Sequence, residues 1–437
     1  MERIALLVIV FLSHSFVQAQ LSKPEKKILS FIDSNNPAAL KLLEEVVNVN
    51  SGSMNFNGVY NVGQIFKSRL DALGFKTQWI DGKPFGRSGH LVGHHRGNRT
   101  GNTILLIGHL DTVFEPSSQF QKYVMRNDST ATGPGISDMK GGDVIMIYSL
   151  EALKQVGALE DMNIIVVMTG DEELSGRPLA LARKDLVEAA RAADVAVGFE
   201  DGKSDPKTAV ISRRGSTSWD LKVKGVPAHS SQIFTNAIGA GAIYEAARIL
   251  TGFYENLAAE KDLTFNPGII LGGSEVTQDE KLNVGTAYGK SNIVAKEAIV
   301  TGDIRAISPE QLKKAQGIMQ QIVANHLPQS EAILTFDEGY PPLAPTEGNY
   351  KLLENYNKVS EDLGLGKVIA VNPRDAGAAD ISFTASLVDM AIDGLGLPGG
   401  NGHTEKEFAD LTWLPKQTKR AALLLYRLAR NPIPKKR

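Results

Sequence analysis

Hydrophobic positions along the chain change their spacing from segment to segment, and the spacing predicts the secondary structure. Between about residues 36 and 210, amphipathic segments alternate with short apolar runs of strand length. Helical spacing marks PAALKLLEEVVNV, NVGQIFKSRLDALGF and DMKGGDVIMIYSLEALKQVG, and apolar runs mark NTILLIGHLD, NIIVVMTGDEE and ADVAVGFED. This alternation is typical of an α/β fold in which helices flank a sheet.

The pattern changes after the segment SRRGSTSW. TSWDLKVKGV alternates as a half-exposed strand does, a long helical pattern follows, and two strand-like segments precede a helix that begins at Ser308 and Pro309. With a last strand in EAILTFDEGYPPL, the order is β-α-β-β-α-β, as in a ferredoxin-like domain. We therefore expect an α/β domain in two parts, 20–213 and 341–437, with an α+β insertion at 214–340.

The first residues predict an export signal. Arg3 precedes the apolar run IALLVIVFL, and the small residues Val17 and Ala19 precede an expected cleavage site. The run is too short to span a bilayer, which takes about 20 residues. We expect residues 1–19 to be cleaved near Ala19, with an uncleaved anchor as the alternative. The chain has no cysteine, which favours a bacterial periplasm over a eukaryotic secretory pathway that forms disulfides. Two glycosylation sequons leave the eukaryotic pathway as an alternative.

Composition narrows the classes of function. The net charge is −2, and no basic run with interleaved aromatic residues occurs, so we expect neither a nucleic-acid partner nor a membrane partner after signal cleavage. The chain has no cysteine nucleophile and no G-x-S-x-G motif. GLGLPG at 394–399 fits G-x-G-x-x-G, but Pro398 and the following GNGH do not open a helix, which argues against a dinucleotide site.

Acidic and histidine side chains lie at the ends of apolar strands and in glycine-rich turns. In open α/β sheets ligands gather at the carboxyl ends of the strands, so we expect these side chains to be neighbours. Two histidines with several carboxylates and no sulfur favour zinc, with cobalt or manganese as alternatives. The candidate residues are His109, Asp111, Asp138, Glu172, Glu173, Glu200, Asp201 and His403.

The spacing within two of these segments adds detail. Asp111 follows His109 by two residues, so in an extended segment both side chains point to one face, and Asp111 can accept the second ring N–H. Two metals sharing a carboxylate would suit hydrolysis, because they polarise a carbonyl and acidify a water. The alternative for the acids at 171–173 is that they cap a following helix, which stays our expectation for Asp171.

Taken in order, these motifs resemble those of the co-catalytic zinc hydrolases, which include aminoacylase and succinyl-diaminopimelate desuccinylase. They match the carboxypeptidase G (glutamate carboxypeptidase) branch of this family best. The matching segments are GHLDTV, GPGISDMKGG, GDEE, GFE and GLGLPGGNGHTEKEF, and the resemblance covers nearly the whole mature chain. It implies a zinc-exopeptidase-like mixed sheet flanked by helices. It also implies that the insertion, here called the lid, covers the site and forms a homodimer.

The resemblance implies two Zn²⁺ sites per subunit that share one carboxylate. The implied ligands are His109, Asp138, Glu173, Glu200 and His403, with Asp138 as the bridge and Asp201 as the rival of Glu200.

The resemblance also implies catalytic roles. Glu172 would be the general base that takes a proton from the metal-bridging water and delivers it to the leaving nitrogen, and Asp111 would orient His109. His229 in the lid would reach the active site of the partner subunit and stabilise the oxyanion.

Substrate contacts are implied for three further residues. Asn292 and Arg305 would hold the substrate carboxylate, and Gly400 would lie in the glycine-rich turn that lines the pocket. A surface salt bridge is the alternative for Arg305. The chain has NIVA where the family usually has NVIP, so the turn after Asn292 differs.

The expected function is therefore an exported di-zinc carboxypeptidase acting on small peptides or N-acyl amino acids, with a C-terminal glutamate as one candidate. The alternatives are an N-acyl-amino-acid deacylase of the aminoacylase type and a non-catalytic ligand-binding relative.

Overall fold

The computed structural model describes residues 21–279 and 284–431. The expected signal peptide, residues 1–19, lies outside the described residues, so its cleavage stays a prediction. No helix within the described ranges is both long enough and apolar enough to cross a membrane.

The described residues form helices that we number in chain order. They are α1 (Lys23–Val47), α2 (Phe56–Leu73), α3 (Lys140–Gln155), α4 (Leu179–Ala182), α5 (Lys184–Arg191), α6 (Ala242–Leu257), α7 (Pro309–Ala324), α8 (Glu347–Asp362) and α9 (Leu414–Arg430).

The strands of the described residues are numbered in the same way. They are β1 (Lys76–Asp81), β2 (Gly89–His95), β3 (Thr103–His109), β4 (Val124–Met125), β5 (Thr130–Thr132), β6 (Asn163–Thr169), β7 (Val195–Gly198), β8 (Thr208–Ala209), β9 (Thr217–Gly225), β10 (Thr264–Gly273), β11 (Glu275–Asp279), β12 (Val284–Tyr288), β13 (Glu297–Arg305), β14 (Ser330–Phe336), β15 (Ile369–Ala370), β16 (Met390–Ile392), β17 (Gly399–Gly400) and β18 (Phe408–Asp410).

The central sheet has six strands in the order β1-β2-β6-β3-β7-β16. β6, β3, β7 and β16 are parallel, whereas β1 and β2 are antiparallel to their neighbours. Helices α1, α3, α8 and α9 share one hydrophobic core with one face, and α5 packs on the other face. Strands covered on both faces need apolar side chains at nearly every position, which explains the continuous runs in β3 and β6.

The lid has a separate four-stranded antiparallel sheet in the order β10-β13-β9-β14. Helices α6 and α7 cover one face of this sheet, and Trp219, Ile249, Phe253, Val300 and Met319 are among the residues of its own core. The chain order β9-α6-β10-β13-α7-β14 is ferredoxin-like. The predicted mixed α/β fold with an inserted ferredoxin-like domain is therefore confirmed.

Two elements differ from the sequence-based prediction. α1 begins at Lys23 and continues through Pro37, because Ser22 and Glu25 form a capping box and Ile28 and Ile32 are buried. Between β10 and β13 an unpredicted hairpin, β11 and β12, occurs. Its polar sequence lacks a continuous apolar face, so periodicity did not reveal it.

The two chain segments that connect the lid to the central sheet, 213–216 and 340–343, pair with each other. Ser216 and Tyr340 exchange two backbone hydrogen bonds of 3.0 Å, and Arg213 and Leu343 exchange bonds of 3.0 and 2.9 Å. We call these two segments the hinge. The hinge lies next to the expected boundaries of the insertion, while the division into domains stays a prediction.

Candidate metal centre and active site

Three neighbouring strands of the central sheet end at one edge, and polar residues follow each of them. β6, β3 and β7 lie side by side and run parallel. His109 ends β3, the turn GDEE follows β6, and Glu200 comes two residues after the end of β7. Because the carboxyl ends of parallel strands meet at one edge, this topology brings the three turns together.

Asp138 lies between two histidines and offers one carboxylate oxygen to each. Its Oδ1 lies 3.2 Å from His109 Nε2, and its Oδ2 lies 3.1 Å from His403 Nε2. Glu200 Oε1 lies 3.6 Å from His109 Nε2, and Glu173 Oε2 lies 3.0 Å from His403 Nε2. The side chains therefore form two groups of three that share Asp138.

Each group has the donors and the spacing of a metal site. The ligand atoms of His109, Asp138 and Glu200 lie within 4.8 Å of one another, as do those of Asp138, Glu173 and His403. Ligands around a tetrahedral Zn²⁺ at about 2.1 Å are roughly 3.4 Å apart. Imidazole and carboxylate donors also suit Co²⁺ or Mn²⁺. The five side chains thus fit two divalent cations bridged by Asp138.

Asp111 is buried and binds the acidic turn as well as the His109 segment. Its Oδ1 accepts the N–H of Glu172 at 3.0 Å, and its Oδ2 accepts the N–H of Glu173 at 3.1 Å and the hydroxyl of Ser53 at 2.6 Å. The Asp111 Oδ1 atom is 3.6 Å from His109 Nδ1, whose shorter contact of 3.1 Å is with the Asp111 carbonyl. Asp111 therefore fixes the backbone of the acidic turn, a role that the sequence did not reveal.

The loop that carries Asp138 is held by Glu407. The Glu407 carboxylate accepts the backbone N–H groups of Gly135, Ser137 and Asp138 at 2.9, 2.9 and 3.1 Å. Burial raises the pKa of Glu407 to about 7, although these hydrogen bonds oppose the change. Sequence reasoning missed this residue, even though Glu407 lies in the same GNGHTEKEF motif as His403.

The turn that carries Glu200 is held by Asp393 and by a close backbone approach. Asp393 Oδ1 accepts the N–H of Glu200 at 3.2 Å, and Gly396 donates its N–H to the Glu200 carbonyl at 2.8 Å. A Cβ on Gly396 would lie 2.3 Å from the Phe199 carbonyl oxygen and 2.6 Å from that of Glu200. Glycine is therefore required where GLGLPG packs against this turn.

Asp201, the rival ligand, belongs to neither group of three. Its Oδ2 accepts the Ser204 hydroxyl at 3.1 Å. Burial and the charge of Asp138 raise the pKa of Asp201 to about 7. The geometry therefore favours Glu200 over Asp201 as the ligand beside His109.

His403 lies in a turn with left-handed backbone. Asn401 and His403 have φ angles of 57° and 60°, a conformation that costs a non-glycine residue about 1–3 kcal/mol and occurs often at functional sites. The turn follows β17, in which Gly400 pairs with Phe408 of β18. The His403 side chain is 59% exposed, so this side of the centre is open to a substrate. The pocket-lining role of Gly400 stays a prediction.

Clustering of the acids shifts the pKa values of the side chains in the two groups. Burial raises the pKa of Glu200 well above its usual range. Burial alone would lower the pKa of His109, but the Glu200 carboxylate and its neighbours raise it well above normal. Hydrogen bonds to Asp138 and Glu173 raise the pKa of His403 to about 11. A cation that binds these side chains must therefore compete with protons.

Glu172 lies beside the two groups without belonging to either. Burial raises the pKa of its carboxyl group well above normal, the charge of His109 opposes this shift, and Asp380 adds to it. The main-chain N–H of Glu172 binds Asp111, and its carbonyl accepts the Tyr340 hydroxyl at 3.2 Å. A carboxyl group beside a metal pair but outside its ligands is suited to proton transfer.

The prediction that Asp171 caps a helix is wrong. The next helix, α4, begins only at Leu179, eight residues after Asp171, and Pro178 rather than an acid precedes it. The Asp171 carboxylate accepts the Gly176 N–H at 2.7 Å and pairs with Arg183 Nη1 at 2.6 Å. Arg183 is 1% exposed, and its Nε also binds Asp380 at 2.7 Å. A buried ion pair with a distant arginine thus accounts for Asp171.

The lid residues lie at two different ends of the lid sheet. Ser230 donates its N–H to the Asn292 carbonyl at 2.8 Å, so the loops that carry His229 and Asn292 are adjacent. Both loops lie at the end remote from the hinge. Arg305 ends β13, whose nine residues span about 26 Å, and it lies near the hinge. One chain therefore does not bring His229 and Asn292 together with Arg305.

Arg305 belongs to a positively charged surface near the hinge. Its Nε donates to Asp303 Oδ2 at 2.8 Å. Arg214 donates to Thr264 Oγ1 at 2.8 Å and to the Arg374 carbonyl at 3.4 Å. Burial and the charges of Arg305 and Arg374 lower the pKa of Arg214. Three neighbouring guanidinium groups suit a carboxylate ligand.

The fold and the two candidate ligand groups are those expected of a metal-dependent peptidase. The chain belongs to peptidase family M20/M25/M40, because residues 105–428 match the profile of this family. M20 peptidases are metal-dependent and act on peptide bonds, and the family resemblance expected from the motifs is confirmed.

Individual relatives are distant but cover most of the chain. Carboxypeptidase G2 of Pseudomonas sp. (strain RS-16) is 26% identical over 410 residues, which are 93% of each protein. A succinyl-diaminopimelate desuccinylase of Burkholderia ambifaria is 25% identical over 363 residues, 80% of this chain and 89% of that protein.

Solved structures share the fold at low sequence identity. Aminopeptidase PepT of Bacillus cereus superposes with a TM-score of 0.69 at 17% identity, covering 90% of this chain and 99% of that one. YXEP of Bacillus subtilis, a dinuclear metal-binding peptidase of family M20, has a TM-score of 0.61 at 12% identity, with 91% and 99% covered.

We expect divalent-metal binding to release protons. A group with a raised pKa keeps its proton until the pH passes that value, and the pKa of His403 is about 11, whereas a metal ligand must be deprotonated. The affinity for Co²⁺ should therefore rise from about pH 6 to pH 9. Calorimetry in buffers of different ionisation enthalpy would measure the protons released. His403→Ala should release fewer, and the control His94→Ala should match the parent; an affinity independent of pH would contradict the expectation.

Proposed function

We propose that this protein is a di-zinc exopeptidase that hydrolyses the amide bond before a C-terminal amino acid, with glutamate as the first candidate for that residue. The observation that carries the proposal is the pair of ligand groups sharing Asp138, with Glu172 beside them. Membership of the M20/M25/M40 family and similarity to carboxypeptidase G2 support the class of reaction.

The five ligand side chains would hold the cofactor. His109 and Glu200 would bind one Zn²⁺, Glu173 and His403 the other, and Asp138 both; Co²⁺ or Mn²⁺ would fit the same donors. When bound, two such cations polarise a scissile carbonyl and acidify a water molecule.

Glu172 moves the protons of the reaction. Its carboxylate accepts a proton from the attacking water and delivers it to the leaving nitrogen. Asp111 keeps this side chain in place, because it binds the backbone N–H groups of Glu172 and Glu173. The base therefore works from a turn whose backbone is fixed before substrate arrives.

The free carboxylate of the substrate binds at the guanidinium groups near the hinge. Arg305 is 37% exposed, and Arg214 and Arg374 add positive charge beside it. Arginine holds a carboxylate through two parallel hydrogen bonds. This requirement for a free carboxylate makes the protein an exopeptidase.

The active unit is a homodimer formed through the lid. His229 is exposed and lies with Asn292 at the lid end remote from the hinge, a position suited to reaching the active site of a second subunit. The lid also has apolar side chains that are half or more exposed, and Phe234, Ile243, Tyr244, Ile270 and Tyr288 are among them. Such a patch and the free edge strand β10 support self-association.

The protein is exported, to a periplasm or to the medium. The support is the leader-like pattern of residues 1–19 and the absence of cysteine.

The second candidate is an N-acyl-amino-acid deacylase, which the similarity to a succinyl-diaminopimelate desuccinylase favours. It would use the same centre and the same carboxylate site, and differ in the pocket for the acyl group. A non-catalytic ligand-binding relative is disfavoured because both ligand groups and Glu172 are complete.

Glu172→Gln should abolish turnover while retaining metal. The change removes the proton acceptor, worth about 10²–10⁴-fold in rate, and leaves both ligand groups intact. Release of amino acids would be measured with a panel of dipeptides and N-acyl amino acids, with C-terminal Glu and Asp first, alongside metal content. The exposed control Glu354→Gln should behave as the parent. Normal turnover by Glu172→Gln would refute its role as the base; a metal-loaded parent that cleaves nothing in the panel would refute the function.

Arg305→Met should weaken recognition of a free carboxylate. The parent should hydrolyse a free-acid substrate better than its C-terminal amide, and Arg305→Met should reduce that ratio of kcat/KM by about 10-fold or more, equivalent to about 1.4 kcal/mol. The matched control is the exposed Arg191→Met. An unchanged ratio would place the carboxylate site elsewhere.

Mixing two inactive variants should restore activity if His229 acts across the dimer. Glu172→Gln supplies an intact His229, and His229→Ala supplies an intact base. Random pairing of the two chains makes half of the dimers mixed, each with one complete site, so about a quarter of the parent activity should return. Co-refolding followed by sedimentation and assay would test this. Dimers that regain nothing would contradict action across the interface, and a monomeric parent would contradict the dimer.

A further inference from the structure

Each segment of the hinge has one side chain that is linked by hydrogen bonds to a turn of the active site. Arg213, in the first segment, binds Asp393 Oδ2 through Nε at 3.0 Å, and Asp393 accepts the N–H of Glu200. Tyr340, in the second segment, places its hydroxyl 3.2 Å from the carbonyl oxygen of Glu172. One connection to the lid thus contacts the Glu172 turn directly, and the other reaches the Glu200 turn through Asp393.

The Tyr340 hydroxyl is the meeting point of a polar network. It accepts a hydrogen bond from Arg183 Nη2 at 2.5 Å, and it lies 3.0 Å from Ser175 Oγ and 3.2 Å from Asp380 Oδ1. Its single proton can be donated to the Glu172 carbonyl or to Asp380, and in the contact with Ser175 either hydroxyl can be the donor. Both ends of the base-bearing turn, at residues 172 and 175, are therefore within reach of one hydroxyl group.

Packing fixes the position of this hydroxyl. The Tyr340 ring meets Phe383 edge-on with centroids 4.9 Å apart, and the Arg183 guanidinium lies 5.4 Å from the ring centroid. The backbone of Tyr340 is bound to Ser216 of the other hinge segment. The same residue therefore belongs to the backbone pairing of the hinge and contacts the base-bearing turn.

We propose that Tyr340 is a positioning residue, which fixes the backbone of Glu172 relative to the hinge and so couples the lid to the base. This inference rests on the proposed function, because it takes Glu172 as the general base. Tyr340 reaches the main chain of Glu172 rather than the substrate. Its contribution is to hold the turn in the geometry for proton transfer, where small displacements lower the rate.

Removing the hydroxyl alone should leave the surrounding network satisfied. In Tyr340→Phe the ring still packs on Phe383. Arg183 Nη2 keeps its bonds to the Asp171 carbonyl at 3.1 Å and to Ser175 Oγ at 3.3 Å. Asp380 keeps Arg183 Nε and the Thr169 hydroxyl. The substitution strands no buried donor, because these groups keep other partners, while the Glu172 carbonyl loses the hydroxyl.

The chain offers a matched control in Tyr356. This tyrosine is 1% exposed, its hydroxyl lies 3.2 Å from Gln417 Oε1, and the Arg420 guanidinium lies 5.9 Å from its ring centroid. Tyr356→Phe removes the same group from a similar setting in the core of the central domain, away from the acidic turn.

The first readout is kinetic. For the zinc-loaded full chain, Tyr340→Phe should lower kcat about 10-fold and change KM by less than about 2-fold, with unchanged metal content, because substrate contacts and ligands are untouched. Tyr356→Phe should leave both constants at the parent values. An unchanged kcat, or an equal loss in the control, would overturn the proposal.

The second readout is independent of activity. The amides of Glu172, Glu173 and Gly176 are bound to Asp111 and Asp171, and their hydrogen exchange should be faster in Tyr340→Phe than in the parent or in Tyr356→Phe. Faster exchange in a chain that hydrolyses nothing would support the coupling while the proposed function fails. Unchanged exchange would overturn the proposed role of Tyr340. If Tyr340→Phe does not fold, Ser175→Ala, which removes a neighbour of the hydroxyl, is read in the same two ways.

Discussion

Repulsion between carboxylates crowded at the carboxyl edge of β6, β3 and β7 is the constraint on which the rest of this structure depends. The three acids of the candidate ligand groups, Asp138, Glu173 and Glu200, are not alone there, because each of their turns is itself held by another buried acid. Asp111 binds the turn of Glu172 and Glu173, Glu407 binds the Asp138 loop, and Asp393 binds the Glu200 turn. These acids accept main-chain N–H groups, which partly offset the cost of burying them.

This arrangement separates rigid parts from open ones. The acidic turns are tied to the sheet by hydrogen bonds from several directions, whereas His403 is more than half exposed. Two bound cations would offset the remaining negative charge and would compete with protons for the side chains whose pKa values are raised. The acidic turns are therefore fixed in advance, while the side with His403 stays accessible. Catalysis by preorganised charges requires such fixed groups.

The lid divides its contributions between its two ends. Near the hinge, Tyr340 contacts the Glu172 turn, and Arg213 binds the Asp393 side chain that holds the Glu200 turn. Arg305 adds to a positively charged surface there. At the remote end, His229 and Asn292 lie in adjacent loops. The length of β13 separates these two ends. Arg305 therefore lies near the hinge, and His229 and Asn292 lie far from it.

The sequence by itself determined the alternating elements, the ferredoxin-like insertion and the types of residue at the metal centre. These features are local, since helical and strand periodicity and residues placed at strand ends can be read within one segment. Only the tertiary structure decided that Glu200 rather than Asp201 faces His109, and that Asp171 pairs with Arg183 instead of capping a helix. It also revealed Glu407, Asp393 and Tyr340, whose partners are far away along the chain. The role of a side chain that binds a distant backbone cannot be predicted from hydrophobic periodicity, because it depends on which turns the fold brings together.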